Sequence, residues 1–196
     1  MKKINLAIFN SDKKPAMVDN LLDVVHNDAL LSDLTILQNE ISVDFDTKVI
    51  AVTSINKDTL AASFAKGLGD AFVANGSSAL VIDANLYNPI LNDLLADKRA
   101  YKGAKVISLN KNIYPALEYK NGVVHNVIKE NNNSYEHFIV IVPSIKDHKE
   151  VSLLGDILNS LIIVTQKNVT KRKDVFNAHA YCYETKLPLA KTVILK

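Results

Sequence analysis

Residues 48–74 read KVIAVTSINKDTLAASFAKGLGDAFVA, and this stretch decides the fold. Its opening run, Lys48–Thr53, is apolar or β-branched after the lysine and shows no polar alternation. Such a run suits a strand buried on both faces of a parallel sheet. A short turn follows. From Thr59 to Ala74 the residues Leu60, Phe64, Leu68 and Phe72 recur at four-residue spacing, which predicts a helix with one apolar stripe. Asn75-Gly76 then supplies a helix C-cap. Strand, turn and helix together make the first half of a βαβ unit.

Outward from this unit the pattern repeats. Ala79–Ile82 (ALVI), Phe138–Val142 (FIVIV), Leu161–Thr165 (LIIVT) and Thr192–Leu195 (TVIL) are further strands without alternation. Helical patterning covers Asn88–Ala96, Lys149–Asn159 and Thr170–Thr185, the last with Val175, Ala178 and Cys182 on one face. Ahead of the first core strand lie a strand candidate at Ile4–Phe9 and helical patterning from Pro15 to Ile41. The expectation is one α/β domain over residues 1–196, doubly wound, with a mostly parallel sheet in a three-layer sandwich. Residues 1–47 form an N-terminal extension packed on it.

The composition narrows the function. Hydrophobic residues make up 48% and charged residues 22% of the 196, so the chain is ordinary globular material. Twenty-three cations against 21 acids leave +2, too even for nucleic-acid binding through a basic face. Arg99 and Arg172 are the only arginines, so bidentate phosphate forks are scarce. A single cysteine, Cys182, excludes a disulfide framework and a multi-cysteine metal site. No segment approaches the roughly 20 apolar residues of a membrane span, and the start MKKINLAIFNSDKK lacks a signal-peptide cleavage site. A soluble, cytoplasmic protein is expected.

In a doubly wound fold the ligand crevice lies beyond the carboxyl ends of the strands. The turn there is Ser54-Ile55-Asn56-Lys57-Asp58-Thr59. A phosphate cradle needs glycines so that successive N–H groups can curl around the anion, and this turn has none. Asp58 stands at the helix N-cap position and places negative charge where an anion would sit. Lys57 without a cradle reads as a solvated loop residue. Asp83, at the end of the second strand, either positions a metal-bound water or caps the loop that follows. The third strand ends without an acid, and Asp147 beyond it is solvated.

The remaining candidates read as structure. Histidines 26, 125, 137, 148 and 179 show no ligand spacing. Ser54 and Ser144 lack a nucleophile signature. Cys182 reads as core. The four cations of Lys167–Lys173 form a solvated loop and helix start, and Gly67–Gly69 falls inside a helix pattern.

Taken in order, these motifs resemble the bacterial tyrosine kinases of capsule and exopolysaccharide operons, relatives of the MinD/ParA-type P-loop ATPases. In that family a strand like KVIAVTS runs into a GEGKST-type loop and a TAANLA-like helix. Here Lys48–Ser54 and Thr59–Ala65 (TLAASFA) match, and the loop between them lacks the glycines. Leu80–Leu95, LVIDANLYNPILNDLL, is similar to the second motif, LLIDADLRRPSLHKLL. It keeps Asp83 and Pro89, with Asn85 for the second acid and Tyr87-Asn88 for the arginines. YEHFIVIVPS stands for YDYVIIDTPP, with Ile141 in place of the aspartate. The C-terminal stretch is similar to the family's closing strand–helix–strand, with Lys196 at or near an adenine-contacting asparagine. An E-x-x-R-x-x-R ring motif matches Ser32, Thr35 and Gln38, all uncharged.

The resemblance therefore implies a P-loop NTPase-like fold and a pseudokinase with no cofactor, metal or catalytic residue. Ser54, Lys57, Asp58, Thr59 and Asp83 would be a vestigial site. The implied partner is a membrane-embedded polysaccharide co-polymerase or adaptor, or a true kinase paralogue. The chain would be a monomer or small dimer at the inner face of the membrane, neither inserted nor bound to nucleic acid. An active kinase with an atypical loop and a pseudo-ATPase of the MinD/ParA branch are the rival readings.

Overall fold

The computed structural model describes residues 28–44, 48–56, 58–91 and 103–195. The elements run α1 (Asp28–Asp44), β1 (Val49–Ser54), α2 (Asp58–Ala74), β2 (Ala79–Asp83), β3 (Lys105–Ser108), α3 (Pro115–Lys120) and α4 (Val123–Asn131). They continue with β4 (His137–Ile141), a 3-10 helix (Lys149–Ile157), β5 (Ser160–Gln166), α5 (Arg172–Glu184) and β6 (Leu189–Leu195). The strand candidate at Ile4–Phe9, the helical patterning before Asp28, most of the Asn88–Ala96 helix, Lys57 and Lys196 lie outside the described residues.

All six strands are parallel, in the order β3-β2-β4-β1-β5-β6. β1 lies between β4 and β5, with Val52 opposite both Ile141 and Ile162. Every residue of β1 and β2 is buried, as continuous apolar runs demand. Alternate residues feed two cores. Ile50, Val52, Val81, Ile139 and Ile162 face α1 and α2. Val49, Ala51, Leu80, Phe138 and Leu161 face the side covered by α3, α4, the 3-10 helix and α5. This is the doubly wound, three-layer arrangement expected from the sequence.

The structure differs from the sequence reading at four places. β3 was not foreseen, because its four residues sit at a sheet edge and its outer positions are partly exposed, so no long apolar run marks it. α3 and α4 also went unread, being 6 and 9 residues long with few buried positions. β6 begins at Leu189 and does alternate at its end, with Val193 and Leu195 buried and Ile194 exposed, as befits the other edge. The stretch after Lys149 winds as a 3-10 helix.

α2 departs furthest from its pattern. It is buried all round, from Leu60 to Phe72, and not along one stripe only. Its approach to the sheet is close. A Cβ added at Gly69 would lie 2.6 Å from Val81 Cγ2 and 3.0 Å from the Ala104 side chain. The helix ends as expected: Gly76 takes φ +89°, its N–H reaches Val73 O, and the Ser77 N–H reaches Phe72 O. That pair of bonds is a Schellman cap.

Candidate functional site

The chain leaves β1 on one face through α2, and leaves its neighbours β4 and β5 on the other through the 3-10 helix and α5. Such a reversal places the ligand crevice beyond the carboxyl end of β1. The residues gathered there are Ser54 at the end of β1, Ile55 and Asn56 after it, Asp83 and Asn85 at β2, Val142 to Ile145 after β4, and the turn after β5.

These strand ends are bonded to one another. The Thr53 hydroxyl donates to Pro143 O at 2.9 Å, and Val142 N–H to Val52 O at 3.0 Å. The Ala84 N–H donates to Ile141 O at 2.9 Å. Ile55, in the middle of the turn after β1, is only 1% exposed and belongs to the core on the α5 side. Asn56 accepts the Thr170 hydroxyl at 2.5 Å, while that hydroxyl takes the Gln166 N–H at 3.0 Å. The β1 and β5 turns are thus joined through Asn56. Helix α2 starts at Asp58, whose carboxylate lies in the first turn, where the free N–H groups favour negative charge. Ser54 is buried at the strand end, and Thr59 is partly exposed.

Asp83 is fully buried. One carboxylate oxygen accepts the Asn85 N–H at 3.2 Å; the other accepts the Ile90 and Leu91 N–H groups at 2.8 and 2.9 Å. Burial pushes its carboxyl above the usual range, against those three amides, and the nearby Asp58 pushes the same way. These three bonds are those of a carboxylate that caps the loop following β2. Asn85 repeats the device on a smaller scale, accepting the Asn88 N–H at 3.3 Å. Tyr119, which sequence reasoning missed, donates its hydroxyl to Ala84 O at 2.7 Å and pins the same loop from α3. Burial raises its phenol well above the ordinary value.

Other candidates fall where the sequence put them. Ile141, the last residue of β4, is 1% exposed, in register with Val52 and Asp83, and belongs to the core on the α2 side. Ser144 donates weakly to Ile55 O at 3.5 Å, and Asp147 is exposed. Cys182 is buried on the inner face of α5, and burial pushes its thiol up to about 11. Among the described residues no three His, Cys, Asp or Glu side chains gather as a metal site. No helix of the described residues is long and apolar enough to cross a membrane.

Two of the three ring-motif positions, Thr35 and Gln38, bond within the chain. Gln38 is buried, and its Oε1 accepts the Asn75 Nδ2 amide at 2.5 Å; the same amide reaches Thr35 Oγ1 at 3.2 Å. They tie α1 to the end of α2.

No protein-family model matches the sequence, and no curated protein matches it. Solved structures do. The chimerical protein CapA2B2 superposes with a TM-score of 0.76 at 13% identity, covering 89% of each chain. The kinase domain of the Escherichia coli tyrosine kinase ETK gives 0.69 at 14% identity, covering 98% of this chain and 84% of that one. A chain of the MinC:MinD cell division protein complex of Aquifex aeolicus gives 0.55 at 16% identity, over 75% of this chain and 68% of that one. The fold is that of bacterial tyrosine kinase domains and of the MinD-type ATPases.

Proposed function

We propose that this chain is a non-catalytic homologue of the bacterial tyrosine kinases, acting as an interaction or regulatory protein in capsular or extracellular polysaccharide assembly. It works in the cytoplasm beside a membrane-embedded co-polymerase or adaptor, or beside a true kinase paralogue. The observation that carries the reading is the state of Asp83, whose two carboxylate oxygens are both engaged by amides of its own loop.

Phosphoryl transfer rests on positioning and on charge stabilisation by a backbone cradle, a lysine and a metal. The residues at this crevice do not fit magnesium–nucleotide. The turn after β1 carries no glycine and buries Ile55 in the core. Ile141 brings a buried hydrocarbon to the place where the resembled kinases have an acid. Asn56 is bonded to the β5 turn, which supports a closed strand-end surface over an open nest. A scaffold kept intact around a closed site is what a docking protein needs.

Titration calorimetry of the purified chain with magnesium–ATP and magnesium–ADP tests this. The expected result is no binding up to about 1 mM nucleotide, a free energy weaker than about −4 kcal/mol. Micromolar affinity would overturn the reading.

A further inference from the structure

We propose that the outer face of α5, with the basic turn leading into it, seats this protein directly on an anionic membrane surface. At about 100° per residue, Arg172, Phe176, Ala180, Tyr183 and Lys173 fall within one arc of roughly 100° on this helix. Ala178 and Cys182, buried in the core, lie on the opposite side. Two large aromatic side chains on the outer arc are left in solvent: Phe176 is 73% and Tyr183 88% exposed. Val169, in the preceding turn, is 47% exposed.

The charge around this stripe is one-sided. From Lys167 to Lys186 the exposed ionic residues are Lys167, Lys171, Arg172, Lys173 and Lys186 against Glu184 alone. Asp174, the one acid in the first turn, is already paired with Lys146 at 3.2 Å. The whole chain carries only +2, so the excess is local.

Three of these cations occupy an adverse place. Lys171, Arg172 and Lys173 stand at the N-terminus of α5, where the helix dipole is positive, and no side chain caps it. Each cation there opposes the dipole by about 0.3–1 kcal/mol. A sequence chosen for helix stability would place acids in that turn, so an external anion is the natural complement.

A convex helix face bearing two aromatics, framed by long-stemmed cations, suits a deformable anionic surface. The rings enter the headgroup boundary and the ammonium groups remain among the phosphates. Clusters of four or more cations beside such a helix are the size that anionic lipids recognise. An acidic protein segment shares the charge, but it would need a groove to hold the rings. The inference does not depend on the nucleotide reading, since it concerns a different face.

Co-sedimentation with vesicles of phosphatidylcholine, with and without about one third phosphatidylglycerol, is the test. Binding is expected with the anionic vesicles only. Lys171→Gln/Arg172→Gln/Lys173→Gln should weaken it on the order of a hundredfold, at about 1 kcal/mol per cation. Phe176→Ser/Tyr183→Ser should weaken it several-fold at the wild-type melting temperature, because these side chains are exposed, whereas the triple substitution, which relieves the helix dipole, should weaken it with the melting temperature unchanged or raised. The chain has no tryptophan, so Phe176→Trp adds a single reporter whose emission should shift to the blue on the anionic vesicles. Absence of binding, equal binding to neutral vesicles, or indifference to the triple substitution would overturn the proposal. So would polyglutamate displacing the vesicles at equal charge concentration, which would assign the face to an acidic polypeptide. Lipid alone is the probe, so failure here leaves the polysaccharide-assembly reading standing.

Discussion

Asp83 shows how one residue type can serve two chemistries. A carboxylate at the carboxyl end of a buried strand is where catalysis would want it, yet its oxygens hold the 84–91 loop. Removing it leaves three backbone donors without their acceptor. Asp83→Ala should therefore lower stability by about 1–3 kcal/mol, a fall of several degrees in melting temperature. The pH dependence has a definite sign. Because burial raises the folded-state value of this acid above 3.8, its contribution is fully present below the unfolded value and is lost as pH rises through the folded one. The gap between wild type and Asp83→Ala should narrow across that window. Equal stability of the two proteins at all pH values would show that the carboxylate is not a structural cap.

At the scale of an element, α2 is the surprise. Lys66 and Asp70 form an ion pair at 2.5 Å with both side chains fully buried, and Asp70 also accepts the Ala104 N–H at 2.9 Å. The pair links the helix to the residue just before β3. Breaking such a pair on one side leaves a charge in low dielectric, which costs about 3–5 kcal/mol. Lys66→Met should show that loss in denaturant melts. Lys66→Met/Asp70→Asn removes the stranded charge while an amide oxygen still faces Ala104, so it should be more stable than the single variant. Additive losses would mean that the two side chains are not coupled.

For the whole molecule, the open question is assembly. Interfacial carboxylate–arginine pairs steer subunits and set their register. Thr35 and Gln38 carry no charge and are engaged with Asn75 inside the chain. A monomer of 21.6 kDa or a small dimer is expected, unchanged by magnesium–ATP. Light scattering at tens of micromolar protein measures this, and a mass near eight chains would refute it.

The sequence by itself determined the parallel sheet, because strands buried on both faces must be apolar throughout, and β1, β2, β4 and β5 read that way, while the edge strand β6 was marked only by its apolar end. It also determined the absence of a glycine cradle after β1, since no tertiary contact can supply glycines that are not there. The edge strand β3 escaped notice because an edge needs only one paired side and so carries little pattern. Only tertiary structure decided what Asp83 bonds to, since that depends on where the amides of Ile90 and Leu91 return in space. The buried Lys66–Asp70 pair was decided the same way. Periodicity marked only one apolar stripe on α2, and the return of the chain at Ala104, whose N–H the Asp70 carboxylate accepts, lies on the other side. Local sequence sets which groups a helix presents; what covers them is a property of the assembled layers.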